Sequence, residues 1–292
     1  MNPGPRAWRV WKHSRWGRTL TRWLGGTPTI PTALWERVVS AQPFLSALPP
    51  WERHQLKPLC ERFLADKEFT GAHGLVITDE MAVTVAAQAC LPWVHWGLPG
   101  LDWYRRFVGI VIHPDEVVAE REVRDDAGVV HHYQEALAGE AMHGGPVMLA
   151  WKHVRGTAAS VSTGHSLVIH EFAHLIDMRH KSQSEEANGC PKLPRGYMGL
   201  TPSEAADLWH RRWSEAYHRL VRDVEMASRF GTAPPWLDAY GAQSPAEFFA
   251  VACEACFVNR PRFNEEFGDL VPLLDAFFRH PDPSPVNDAT VP

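Results

Sequence analysis

The chain has 292 residues, 45% of them hydrophobic and 22% charged, with a formal net charge of -5. That length suffices for one large domain or two ordinary ones with a sizeable core, and the composition excludes a disordered or fibrous chain. The charge balance gives no general case for direct nucleic-acid binding, and no apolar run reaches the roughly 18 to 20 residues that a membrane span requires. Five cysteines without framework spacing fit a reducing cytosol, so a cytoplasmic location is expected. Thirteen tryptophans are scattered and are expected to pack rather than to form a binding box.

Residues 1–33 differ from the rest. They carry Arg6, Arg9, Lys12, Arg15, Arg18 and Arg22 among Trp8, Trp11, Trp16 and Trp23, with no acidic residue. No 7-to-15-residue apolar region follows the charges, so a secretory signal is not expected. The basic residues recur mostly every third position and make no clean helical stripe. This reads as a solvated arm, with contact to an anionic membrane surface as the alternative; Gly25-Gly26, Pro28 and Pro31 then form a linker.

From Leu34 to about Phe69 the apolar spacing is helical, interrupted at Pro49-Pro50. Gly74 to Ile77 reads as a short strand, and Asp79 to Leu91 as a helix rich in small residues. Phe107 to Ile112, Gly128 to Ala138 and Gly144 to Val154 resemble strands of a small sheet.

The segment GHSLVIHEFAHLID, Gly164 to Asp177, is where chemistry concentrates. His170 and His174 stand at i and i+4, one turn apart on one helix face, a spacing that lets two imidazoles reach one zinc ion. Glu171 between them would be the general base toward a water whose pKa a metal lowers to roughly 7. The apolar setting of Val168, Ile169, Phe172, Ala173, Leu175 and Ile176 strengthens the reading, because buried imidazoles and carboxylates need partners. One zinc ion per chain is the expected cofactor.

After a polar, turn-rich loop over 178–194, Thr201-Pro202-Ser203-Glu204 opens a long helix to about Arg229 with a capping box. Ser244-Pro245-Ala246-Glu247 opens another through Val258, and a last amphipathic helix spans about 263–279. A third zinc ligand is expected from a later helix, and the candidates are Glu247 and Glu254, seven residues apart on one face. Glu247 could instead bond back to the Ser244 amide as the third residue of a capping box. The Cys253-x-x-Cys256 pair lies inside this helix without a second pair and reads as core. His131-His132 reads as an exposed strand end, and no G-x-S-x-G supports a serine nucleophile.

HEFAHLID, the following ANG-x-P-x-LP at Ala187 to Pro194, and AYGAQSPAEFFAVACEACF from Ala239 resemble the Mlc titration factor A family of zinc-dependent peptidases. Upstream ERFLADKEF, ITDEM, IVIHPDEVV and GPVMLAW extend the resemblance over roughly 34–282. The resemblance implies His170, His174 and Glu247 as zinc ligands, Glu171 as catalytic base and Tyr240 as a group assisting at the site. Asp177 and Glu254 would then orient a ligand imidazole or a neighbouring chain.

The expected fold is therefore α+β and zincin-like, mostly helical with a small mixed sheet beside the metal-binding helix. Residues 34–282 would form this domain, between the arm and linker at 1–33 and a Pro-rich tail at 283–292. The expected activity is hydrolysis of peptide bonds in a peptide or protein substrate, possible aminopeptidase mode included. The alternative is a regulatory binding protein that sequesters a transcriptional repressor. Two features depart from the family pattern: the loop 179–186 looks longer and more charged, and the family does not explain the arginine and tryptophan arm.

Overall fold

Prolines and capping side chains set most element boundaries. The computed structural model describes residues 29–124, 130–137, 139–141, 145–155, 158–182, 185 and 187–279. Pro31 starts α1 (Thr32–Ala41), so the helix begins inside the stretch read as linker. Pro43 and Pro50 stand at the first positions of α2 (Pro43–Ser46) and α3 (Pro50–Asp66), where a missing N–H costs nothing. The arm at 1–28 and the tail lie outside the described residues.

Four strands, β1 (Glu68–Gly71), β2 (Gly109–His113), β6 (Val147–Ala150) and β5 (Gly139–Ala141), make one sheet in that spatial order. β1 pairs in parallel with β2, across a connection that contains α4 (Asp79–Cys90). The strand expected at 74–77 is absent; His73 and Gly74 both have positive φ (52° and 78°) and turn the chain there. The observed strand lies at 68–71, where a helical reading ran on to Phe69. Its parallel partner sits about forty residues away, so local spacing carries little trace of it.

The chain then leaves the sheet in an antiparallel ribbon, β3 (Val117–Arg124) with β4 (Val130–Leu137). It returns as β5, antiparallel to β6, while β6 runs parallel to β2. β5 is thus an edge strand. The strand read to Val154 stops at Ala150, and α5 (Trp151–Val154) follows.

After α6 (Ala158–Thr163), α7 (Leu167–Met178) carries the His-Glu motif and packs against α4, β5, β6 and the later helix at Pro245–Val258. Ser166 caps α7 by accepting the Ile169 N–H (3.2 Å) and donates to Gln88 Oε1 (2.8 Å). Phe172 is fully buried, with ring centroids 4.9 Å from Tyr104, 5.6 Å from Phe107 and 5.8 Å from Phe63. Truncating such a ring to alanine costs about 3 to 5 kcal/mol, so this packing fixes where the motif sits.

The long α8 (Pro202–Phe230) closes a full capping box between Thr201 and Glu204 and ends at Gly231 in the left-handed region. α9 (Pro245–Val258) is buried on nearly every side. The final amphipathic stretch is two helices, α10 (Arg260–Glu266) and α11 (Val271–Phe278), separated at Phe267. Tryptophans pack as expected: Trp93 stacks on Trp103 at 5.2 Å and Trp209 on Trp213 at 4.7 Å. Among the described residues no helix is long and apolar enough to cross a membrane.

Candidate metal centre

α7 and α9 cross with their functional faces together. His170 Nε2 lies 3.2 Å from His174 Nε2 and 3.0 Å from Glu247 Oε2, and His174 Nε2 lies 3.4 Å from the same oxygen. Among the described residues these three form the one group of His, Cys, Asp or Glu side chains spaced to hold a metal ion. Ligands about 2.0 to 2.1 Å from a tetrahedral ion stand roughly 3.3 Å from one another, so the triangle has the right size.

The protons support the same fit. Glu254, on α9 two turns after Glu247, places Oε1 2.7 Å from His170 Nδ1. A carboxylate can only accept, so Nδ1 carries a hydrogen and Nε2 is the ring nitrogen that faces Glu247. Glu247 Oε2 is shielded from solvent and accepts no hydrogen bond of proper geometry, although two ring nitrogens are close. A buried carboxylate oxygen facing two ring nitrogens calls for positive charge between them, which a metal cation can supply. Zinc, with its preference for imidazole and carboxylate, suits this donor set.

The charge around the site points the same way. Burial disfavours protonated His170, but Glu254, Glu247 and Glu171 outweigh it and hold its pKa well above the usual histidine value. Burial likewise would raise Glu247, yet the neighbouring imidazoles of His170 and His174 pull it down to about 2. Burial raises Glu171, only 4% exposed, to about 7, against the opposing pull of the two imidazoles. Three carboxylates surrounding two imidazoles leave the pocket short of positive charge.

The capping alternative for Glu247 is resolved in part. Ser244 Oγ accepts the Glu247 N–H (3.2 Å), so the serine caps α9. The carboxylate does not return to the Ser244 amide as Glu204 does to Thr201 (2.9 Å); it faces the imidazoles. Glu254 serves three donors at once: His170 Nδ1, the Ser166 N–H (2.7 Å) and His165 Nδ1 (2.9 Å).

Tyr240 is partly exposed on the short 3₁₀ turn Ala239–Ala242, with its ring centroid 5.9 Å from that of His170. The hydrogen-bond partners of Asp177 among the described residues are in the following loop, away from the His170 and His174 rings. Its Oδ2 accepts the N–H groups of Asn188 and Gly189 (2.7 Å each), Lys181 pairs with its other oxygen, and so it ties the following loop to the end of α7. Gly189 has φ +75°, and a Cβ there would strike the Pro245 carbonyl, 3.0 Å from its carbon. The loop therefore abuts the first residue of the helix that bears Glu247.

Two contributors escaped the reading of the sequence. His165 immediately precedes the cap of α7, a position that the sequence displays without revealing its partner. Gly139 of β5 lies directly against the Glu171 side chain. Cys253 and Cys256 are buried free thiols of the α9 core, apart from the metal group.

This site belongs with metallopeptidases. The chain is a member of the glucose-regulated metallo-peptidase M90 family, whose profile matches residues 10–279. It is 31% identical over 236 residues to Mlc titration factor A of Klebsiella pneumoniae strain 342, covering 81% of this chain and 82% of that protein. It is 29% identical over 258 residues to Mlc titration factor A of Pectobacterium atrosepticum, covering 88% and 90%. An uncharacterized protein of Synechocystis, slr2042, is 28% identical over 271 residues, 92% and 91% of the two chains.

Proposed function

We propose that this protein is a cytoplasmic zinc peptidase of zincin-like architecture, with His170, His174 and Glu247 as ligands. The observation that carries the reading is the triangle of donor atoms 3.0 to 3.4 Å apart, with its buried, unbonded Glu247 oxygen. Bound zinc would supply Lewis acidity and lower the pKa of water at the site.

Glu171 accepts a proton from the attacking water and returns it to the leaving amine, a role suited to a carboxylate whose pKa lies near neutrality. Tyr240, beside His170, donates its phenolic hydrogen to the oxyanion as charge develops. Edge strand β5 lies against α7, and its outer edge would hold an extended substrate by main-chain hydrogen bonds. The test is Glu171→Gln. Elemental analysis should find zinc retained, while hydrolysis of model peptides falls by about 10² to 10⁴-fold; full turnover would remove Glu171 from the mechanism.

A second reading follows from the name of two relatives, Mlc titration factor A, which speaks of titrating a partner, Mlc. On this reading the chain sequesters a transcriptional repressor. A pull-down from native extract with wild type and Glu171→Gln separates the two roles: partner binding indifferent to the substitution supports sequestration.

A further inference from the structure

The loop that Asp177 anchors also walls a second cavity. Residues 190–197 and the first turns of α8 enclose about 560 Å³, within the roughly 300 to 1,000 Å³ usual for small-molecule sites. None of His170, Glu171, His174, Tyr240 or Glu247 lines it. The deeper surface is apolar, built from Trp209, Tyr197, Ala205, Leu193 and Leu200. Its two polar side-chain atoms are already occupied, because Trp209 Nε1 donates to Gly189 O (3.0 Å) and the Tyr197 hydroxyl to Leu273 O (2.8 Å).

The rim has the opposite character. Lys192, Arg195 and His210 are exposed there, no Asp or Glu lines the cavity, and none of the three makes an ion pair or side-chain hydrogen bond among the described residues. A guanidinium and an ammonium beside an apolar hollow match a ligand with one anionic head and an apolar stem. A multiply charged polar anion would leave the floor without a partner. An extended peptide is also a poor match, since Pro191, Pro194 and Pro202 in the lining lack the N–H groups that a main-chain ladder uses.

We propose that this cavity binds a small amphipathic carboxylic acid of the aryl-alkyl or medium-chain aliphatic class. The stem lies on Trp209 and Tyr197, and the carboxylate meets Arg195 and Lys192. An occupant would lean on Cys190, next to the Gly189 amide that Asp177 holds and that abuts Pro245.

Calorimetric titration of the full chain with 4-phenylbutyrate, decanoate and the uncharged 4-phenylbutan-1-ol tests this. Both acids should bind once per chain, with the alcohol and the Lys192→Glu/Arg195→Glu double variant each weaker by about tenfold or more. Ala206→Trp, at an exposed lining position of α8, should fill the cavity and abolish binding with circular dichroism and zinc content unchanged. The proposal is overturned if neither acid binds at millimolar concentration, or if alcohol and acid bind alike. It is also overturned if binding ignores Ala206→Trp but disappears on chelation, which places the acid on the metal centre, or if only a peptide binds.

Discussion

Gly139 of the edge strand and Glu171 of the metal helix touch so closely that a side chain on the first would displace the second. A Cβ built on Gly139 would fall 2.8 Å from both Cγ and Cδ of Glu171, and closer still to Oε1. The Glu171 carboxylate is therefore positioned by the absence of an atom on a neighbouring strand. Gly139→Ala should push it aside, lowering kcat by about 10²-fold, the usual consequence of a misplacement near 1 Å. Zinc stoichiometry should not change. Glu171→Asp, shorter by one methylene, should restore part of the loss in that background; the same rate in single and double variants would count against the steric account.

Glu254 should matter to metal affinity without contacting the ion. Replacing it by glutamine removes the charge that fixes the His170 tautomer, and losses of about 10 to 100-fold in metal affinity are typical for such partners. Competition with a chromogenic chelator measures this. Wild-type affinity in Glu254→Gln would mean that the carboxylate only seals the start of α7.

Ser244 and Glu247 share one helix start and should separate in experiment. Ser244→Ala should cost about 1 kcal/mol of stability, as caps do, and keep zinc. Glu247→Ala should lose zinc on dialysis against chelator. Equal zinc content in both variants would return Glu247 to a capping role.

His165 should contribute stability at low pH and not at high pH. Its hydrogen bond to Glu254 raises its pKa above the ordinary value, with burial opposing. The unfolded chain thus loses the proton first: the contribution is complete below about pH 6.5 and disappears as pH rises through the folded-state pKa. In chelator-treated protein, His165→Gln should lower Tm more at pH 6 than at pH 9. An equal loss at both values would exclude the ion pair.

His170, Glu171 and His174 were legible because helical geometry alone brings i and i+4 together. Spacing narrowed the carboxylates to Glu247 and Glu254 without separating them, the family resemblance assigned Glu247 to the metal and Glu254 to orientation, and the fold turns one toward each nitrogen of the His170 ring. Asp177 was expected to orient an imidazole or a neighbouring chain, and it holds the chain at 188–189. Gly139 was not legible, since its contact joins a three-residue strand to a helix some thirty positions later. The strand at 68–71 was hidden for the same reason: a partner distant in sequence decides it, while the apolar run at 74–77 is turned away by His73 and Gly74.

The carboxylate of Glu247 forgoes the reciprocal bond that Glu204 makes in an otherwise parallel helix start. The opening turn of α9 is thereby left incomplete as a purely protein structure, and whatever fills the gap between the imidazoles also finishes that turn. Stripping the ion should accordingly be felt first as fraying of the backbone there, with amides near 244–247 exchanging with solvent sooner than the rest of the helix.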